Sequence, residues 1–247
     1  MMNYTLDSKI NNAIVSVEGL TERTHEIETL YNTYADKEVE YHGKATNGNK
    51  KLGSAIFNIN LPPIVTCNPN APCFKQCYAT HGHFLYPNVK NRQFENLFAF
   101  IQNPSQFFNE IAEQTQLCLY VRWFGSGDMP NMRFFEGMIE VAKKNKGVKY
   151  LAFTKQFPIV NAYLNFGRKI PSNLKIVFSN WMEWKAENPL NLPTTWVKFD
   201  PNKKQEKDFA RFNVHIPEKS HACPGDCAKC LKCWNLKKGE SVYFKKH

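Results

Sequence analysis

The sequence lacks the long apolar runs of membrane proteins, and it also lacks internal repeats and low-complexity tracts. No run approaches the ~18 apolar residues of a membrane-spanning helix, so we expect no association with a membrane. The start, MMNYTLDSKINN, has no apolar core of the kind that a secretory signal peptide needs. We therefore expect a cytoplasmic protein, in which clustered cysteines indicate a metal more often than disulfides.

Acidic side chains are scarce beyond residue 50. Residues 1–50 carry five Lys or Arg and eight Asp or Glu, whereas residues 51–247 carry 27 basic and 14 acidic side chains. A basic body indicates an anionic partner, such as a nucleic acid or a phosphorylated small molecule. The alternative is a solvated, lysine-rich surface without a specific partner.

Apolar residues recur with the periods of strands and helices in alternation. We predict strands at 54–62, 117–124, 148–154, 173–179, 195–200 and 211–217, and helical stripes at 94–101, 107–112, 134–142 and 160–166. This alternation predicts an α/β fold with a parallel sheet, arranged as a complete or partial (β/α) barrel. In that architecture the chemistry lies on loops at the carboxyl ends of the strands.

Three regions are expected along the chain. A polar linker, 42–54, separates an N-terminal extension from the regular pattern. We predict a partly helical extension at 1–53, a β/α core at 54–217, and a C-terminal cysteine-rich segment with a basic tail at 218–247.

Seven of the eight cysteines fall into two groups, and Cys118 stands alone. The second group has the spacing C-x3-C-x2-C-x2-C and consists of Cys223, Cys227, Cys230 and Cys233. This spacing resembles a ferredoxin-type cysteine run read in reverse, which favours a 4Fe–4S cluster, with a tetrahedral zinc as the alternative. The sequence therefore predicts a metal centre closed by four thiolates.

The first group, Cys67, Cys73 and Cys77, has the spacing C-x5-C-x3-C and offers three thiolates. On a 4Fe–4S cluster, three thiolates leave one iron open to a small chelating molecule. Radical S-adenosylmethionine enzymes work in this way. The alternative is a zinc held by the three thiolates with His81 or His83.

The run VRWFGSGDMPNMRFFEGMIEVAKKNKGVKYLAFTK, residues 121–155, resembles the phage "gene product 88" family of radical-S-adenosylmethionine-like proteins. The cysteine loop that closes on CYA and the late CP…C..C..CW are similar to the same family, so the resemblance covers about residues 54–235. It implies a partial barrel of the radical S-adenosylmethionine type, two 4Fe–4S clusters and S-adenosylmethionine as a small-molecule cofactor. It also implies the cytoplasm of a host cell and, for an active enzyme, a reductant protein as partner.

The resemblance also suggests residues that contact the cofactor. GSGD, residues 125–128, is the apparent counterpart of the superfamily's Gly-Gly-Glu turn, in which glycines allow close approach and a carboxylate suits an ammonium group. Tyr78 is the aromatic residue beside the last cysteine, where the superfamily packs the adenine. Three further candidates come from their position at strand ends on the same face. Lys155 could meet a carboxylate or phosphate, with an ordinary surface lysine as the alternative, and Ser179 and Asn180 could meet a ribose hydroxyl. The cofactor-contact candidates are therefore Tyr78, Gly125, Ser126, Gly127, Asp128, Lys155, Ser179 and Asn180.

Three functions are compatible with these motifs. The first is an enzyme, a radical-S-adenosylmethionine-like iron–sulfur protein that acts on an unknown substrate. The second is a zinc-containing basic protein that binds nucleic acid, supported by the C-terminal LKKGESVYFKKH. The third is an iron–sulfur electron carrier without substrate chemistry. Three further residues are candidates. Asp200 lies at a strand end, and Trp181 and Trp184 could line a substrate pocket or pack in the core.

Overall fold

The computed structural model describes residues 20–48 and 51–246, and within them it places alternating helices and strands. The strands are β1 Thr46–Asn47, β2 Ile56–Ile59, β3 Tyr120–Trp123, β4 Lys149–Thr154, β5 Leu174–Ser179, β6 Thr194–Lys198, β7 His221–Ala222 and β8 Ser241–Lys245. The α-helices are α1 Leu20–Tyr34, α2 Pro87–Gln102, α3 Pro104–Thr115, α4 Met132–Lys144, α5 Phe157–Asn165 and the short α6 Cys227–Cys230. Within these ranges, no helix has both the length and the apolar character to cross a membrane.

The strands form one sheet in the order β1-β2-β3-β4-β5-β6-β8-β7. Among the described strands, only β1 pairs in the antiparallel sense, with β2, and every other neighbouring pair is parallel. Strands β2 to β6 follow chain order without a reversal, so right-handed crossovers place their helices on one face of the sheet. This confirms the α/β class with a parallel sheet. The sheet is open, so the prediction of a complete barrel is wrong.

The main hydrophobic core lies between the sheet and helices α2 to α5. A group of large aromatic rings fills its centre, with the Phe108 and Phe134 ring centroids 5.1 Å apart and Trp123 beneath them. Asn103 and Asn131 cap α3 and α4, and their side chains accept hydrogen bonds from backbone N–H groups of the first turns. The capped helices therefore pack against one face of the sheet, and the other face is free to contact a different segment of the chain.

The opposite face of the sheet carries a second, smaller core. Ile56, Leu151 and Val177 project from β2, β4 and β5 and pack with Trp234 and Val242 of the C-terminal segment. Because strand side chains alternate between faces, the same strands supply both cores. The cysteine-rich segment therefore covers the sheet face that the helices leave open.

Most predicted elements are confirmed, and two of them need correction. Residues 211–217 were expected to be the last strand, but 207–215 form a 3₁₀ helix, in which Val214 is exposed and the Asn213 side chain bonds to the backbone of Phe199, just after β6. The last strand is instead β8, which lies within the residues interpreted as a basic tail and pairs in parallel with β6 and β7. Part of that tail is therefore a strand inside the sheet.

Candidate functional site

The predicted site residues meet at the carboxyl edge of the parallel strands. The first cysteine loop follows β2, GSGD follows β3, Lys155 follows β4, and Ser179 ends β5. Parallel neighbours end at the same edge of a sheet, so the four loops are adjacent in space. The fold thus places the three-cysteine loop beside the residues predicted to contact a cofactor.

The first cysteine loop is built from two short 3₁₀ helices, Pro72–Gln76 and Tyr78–Thr80, behind a turn that holds Cys67. The Asn68 amide fixes this turn by donating a hydrogen bond of 2.8 Å to the backbone carbonyl of Lys155. Burial raises the pKa of the Cys67 thiol, and the nearby Asp128, Cys77 and Cys73 raise it further. The three thiols are therefore close enough to affect one another electrostatically.

Tyr78, which follows Cys77, connects this loop to GSGD. Its hydroxyl donates a hydrogen bond of 2.6 Å to the carbonyl of Gly125, and its ring meets Phe84 edge-to-face at 5.5 Å. The residue is 55% exposed, but the hydroxyl itself is enclosed, and burial raises the pKa of the phenol. The exposed part is the ring, which leaves an aromatic surface beside the cysteine loop.

The two glycines of GSGD allow the turn to pack tightly against β2 and the segment that follows it. A Cβ atom at Gly125 would overlap the amide nitrogen of Asn58. Gly127 has a φ of +72°, and a Cβ atom there would lie 2.6 Å from the carbonyl oxygen of Leu61. Glycine is needed at both positions because the protein itself approaches them, a reason that differs from the expected approach of a ligand.

Ser126 is buried at the centre of the turn. Its hydroxyl donates to the carbonyl of Leu61 at 3.0 Å and accepts from the side-chain amide of Gln93 at 2.9 Å. Both partners belong to the protein. Through these two hydrogen bonds, Ser126 holds GSGD against α2 and the end of β2.

Asp128 is only 4% exposed and joins three elements of the site. One carboxylate oxygen accepts hydrogen bonds from the Thr154 hydroxyl at 2.7 Å and the Met129 N–H at 2.8 Å. The other accepts from the Lys155 N–H at 2.7 Å. Burial raises the pKa of Asp128 to about 6, although these hydrogen bonds oppose the rise. A carboxylate offers about four acceptor positions, so three described bonds leave one for a further donor.

Lys155 and Ser179 come together as the sequence predicted from their strand ends. The ammonium group of Lys155 donates a hydrogen bond of 2.7 Å to the Ser179 hydroxyl. Burial raises the pKa of the Cys77 thiol, and the positive charge of Lys155 opposes this rise. Asn180, which was predicted to meet a ribose hydroxyl, instead bonds within the protein. Its side-chain oxygen accepts a hydrogen bond from the backbone N–H of Ala186 and so holds the loop after β5.

The second cysteine group lies over the open face of the sheet. Cys223, Cys227 and Cys233 pack against the second core, and the indole of Trp234 donates a hydrogen bond of 3.0 Å to the carbonyl of Val121. Burial, together with the other three thiols of the group, raises the pKa of Cys233 to about 12. Trp234 therefore anchors this cysteine-rich segment to β3.

Arg122 on β3 lies between the two cysteine groups, and the sequence analysis missed it. Burial raises the pKa of Tyr78 and of Cys227, and the charge of Arg122 opposes both shifts. The guanidinium lies 5.1 Å from the centre of the Phe153 ring, and its buried Nε has no hydrogen-bond partner among the described residues. The available signal was an arginine inside the otherwise apolar strand LCLYVRWF.

The remaining candidates lie elsewhere. Trp184 packs against the main core, with its ring centroid 4.9 Å from that of Phe157, and Trp181 is buried against Phe199. The carboxylate of Asp200 accepts from the backbone N–H of Asn202 in a local turn. The two tryptophans therefore support the packing of the loop after β5.

In the described part of the chain, no three His, Cys, Asp or Glu side chains are grouped closely enough to hold one ion. His81 and His83 are both exposed. Thiolates are ligands both of iron–sulfur clusters and of structural zinc ions, so the donor atoms by themselves suit either group.

Comparison with known proteins identifies a family but no activity. No curated protein and no solved structure matches the chain. The family model described as Gene product 88 matches residues 29–236, which include both cysteine groups, GSGD and Lys155. This match confirms the expected family without supporting a radical S-adenosylmethionine chemistry. The chain belongs to the gene product 88 family.

Proposed function

We propose that this protein is an iron–sulfur protein of the radical S-adenosylmethionine type, acting on an unknown substrate. The main support for this proposal is the position of three thiols that form no disulfide. They lie at the carboxyl edge of a parallel sheet whose strands β2 to β6 follow chain order, near the buried carboxylate of Asp128. The first cysteine group would hold a 4Fe–4S cluster with one open iron. The second group would hold another cluster, closed by four thiolates. When bound, such a cluster supplies an electron for reductive cleavage of S-adenosylmethionine.

The residues around the first cysteine loop suit the methionine part of that cofactor. The unused acceptor position of Asp128 suits an ammonium group, as the superfamily's acidic turn does. The ammonium group of Lys155 lies at the same edge and suits a carboxylate, with Ser179 positioning it. The exposed ring of Tyr78 offers a stacking surface for the adenine.

Metal analysis tests the clusters directly. Protein reconstituted under anaerobic conditions should carry about eight irons per chain, and Cys73→Ser should lower this to about four. Cys118→Ser is the matched control, because this thiol is remote in sequence from both groups and packs against the main core. Addition of S-adenosylmethionine should change the electron paramagnetic resonance spectrum of the wild-type protein. Reconstitution that yields zinc without iron would overturn the proposal.

An electron carrier without substrate chemistry is the second candidate. The observation that favours it is that polar groups of GSGD, including the Ser126 hydroxyl, already form hydrogen bonds to other parts of the protein. Incubation with S-adenosylmethionine and dithionite separates the two candidates. Formation of methionine and 5′-deoxyadenosine supports the enzyme, whereas intact S-adenosylmethionine beside fully reducible clusters supports the carrier.

A further inference from the structure

A cleft of ≈ 820 Å³ lies next to the candidate site, between the β1–β2 hairpin and the start of α2. Asn58 and Asn60, which line it, also accept hydrogen bonds from the backbone N–H groups of Gly125 and Ser126. On the other side, Phe84 lines the cleft and contacts Tyr78 of the cysteine loop. The cleft therefore shares its wall with the GSGD turn and has the size of a small-molecule site.

The charge of the cleft is positive. The cations Lys51 and Arg92 line it, and none of its described lining residues from Thr46 to Gln93 is acidic. Arg92 also pairs with Glu95 at 2.7 Å, one turn along α2, which holds the guanidinium in place. The first turn of α2, a helix of 16 residues, lines the cleft with Asn88 and Val89. A helix start adds partial positive charge, which favours an anion, although Pro87 has no N–H and the N–H groups of Val89 and Lys90 donate to the carbonyl of Tyr86.

Two buried amides give the cleft unused hydrogen-bonding groups. Asn58 is 5% exposed, and its oxygen accepts from the N–H of Gly125, while its NH₂ group has no described hydrogen-bond partner. Gln93 is 1% exposed, and its NH₂ group donates to the Ser126 hydroxyl, while its oxygen has no described partner. Neither atom is among the enclosed polar atoms without a partner in the described residues, so both amides remain accessible to polar groups of a molecule in the cleft that they line.

We propose that this cleft binds a phosphorylated small molecule of nucleotide size. The cations and the helix start suit the phosphate, and the buried amides suit the polar edge of a ring. Phe84 and Val89 supply apolar surface for the flat part of the ligand. Its role as the substrate of the enzyme rests on the proposed function above, whereas binding itself does not.

Isothermal titration with the four nucleoside monophosphates, the matching nucleosides and inorganic phosphate tests the cleft on the full chain. At least one nucleotide should bind with a dissociation constant below 1 mM, and its nucleoside at least tenfold more weakly. Arg92→Gln and Arg92→Glu should weaken binding at least tenfold, since both remove the cation. Arg211→Gln, which changes an exposed arginine near β6, is the control and should bind as the wild type.

Three results would overturn the proposal. They are no binding of any monophosphate at 1 mM, unchanged binding by both Arg92 variants, or binding of oligonucleotides that monophosphates do not displace. Iron content and S-adenosylmethionine cleavage are measured on the same preparations. A protein that binds a nucleotide but takes up no iron would support the proposed nucleotide site and contradict the proposed clusters. A protein that takes up iron and cleaves S-adenosylmethionine but binds no nucleotide would support the clusters and contradict the nucleotide site.

Discussion

The backbone N–H of Lys155 donates a hydrogen bond of 2.7 Å to the buried carboxylate of Asp128. This bond joins the loop after β3 to the first residue beyond β4. The same lysine accepts a hydrogen bond from Asn68, next to Cys67, through its carbonyl oxygen. The backbone of Lys155 therefore ties three loops of the candidate site together, whether or not a cofactor is bound.

Asp128→Asn should destabilise the fold. The variant keeps the shape of the side chain but replaces one acceptor oxygen with an NH₂ group that faces a donor. We expect a loss of about 1–3 kcal/mol in the free energy of unfolding, as for other hydrogen bonds to buried charged groups. Urea denaturation followed by circular dichroism measures this. Asp208→Asn, at an exposed position, should change stability little, and equal effects of the two variants would contradict the role assigned to Asp128.

Gly137→Ala should destabilise the packing between α3 and α4. A methyl group at Gly137 would overlap the ring of Phe108, which is fully buried and has no room to move aside. Overpacking of this kind costs about 1–3 kcal/mol and outweighs the better helix propensity of alanine. Thermal unfolding of Gly137→Ala and Gly147→Ala provides the comparison. Gly147 has open space around it, so its variant should be neutral or slightly stabilised, and a more stable Gly137→Ala would refute this packing.

His42 should titrate above its ordinary range. Its Nδ1 lies 2.6 Å from Glu110 Oε1, and this hydrogen bond, with the charges of Glu110 and Glu40, raises the pKa of His42 above 6.5, against the opposing charge of Lys44. The stabilisation is fully present below about pH 6.5 and is lost as the pH rises through the higher pKa of the folded state.

Nuclear magnetic resonance titration of the His42 ring checks this expectation. In Glu110→Gln, the pKa of His42 should fall back toward 6.5, because the charged partner is gone. The loss of stability as the pH rises above about 6.5 should shrink in the same variant. A His42 resonance that titrates identically in both proteins would show that the pair does not form.

Trp234→Phe should loosen the cysteine-rich segment from the sheet. The indole N–H of Trp234 donates to the Val121 carbonyl, whereas the equally buried Trp196 has an indole nitrogen without a partner among the described residues. Replacement by phenylalanine should therefore cost about 1 kcal/mol more at Trp234 than at Trp196. Urea denaturation of the two variants measures the difference. A smaller cost at Trp234 would contradict its anchoring role.

Local periodicity was sufficient to predict the helices and most strands, because their apolar residues face one continuous core. It failed for β8, since SVYFK is flanked by lysines and pairs with β6, about 45 residues earlier in the sequence. It also misread 211–217, where alternating apolar residues belong to a 3₁₀ helix. Long-range pairing decided both cases, and a local pattern does not contain that information.

The candidate site was predicted as a location more accurately than as a set of contacts. Placement at strand ends brought GSGD, Lys155 and Ser179 to one edge, as expected from parallel pairing. The partners of Gly125 and Ser126, however, lie on β2 and α2, far away in sequence. Arg122 was missed for a related reason, because its importance depends on which face of β3 the second cysteine group covers.

Strand β8 makes the order of synthesis relevant to the thiols. Val242 and Phe244 of this strand complete the second core around Cys223, Cys227 and Cys233, yet they leave the ribosome after all of these cysteines. Until β8 has paired with β6, these thiols lack that part of their apolar cover and are open to reagents in solution. The C-terminal strand thus determines when, as well as where, the second cysteine group is enclosed.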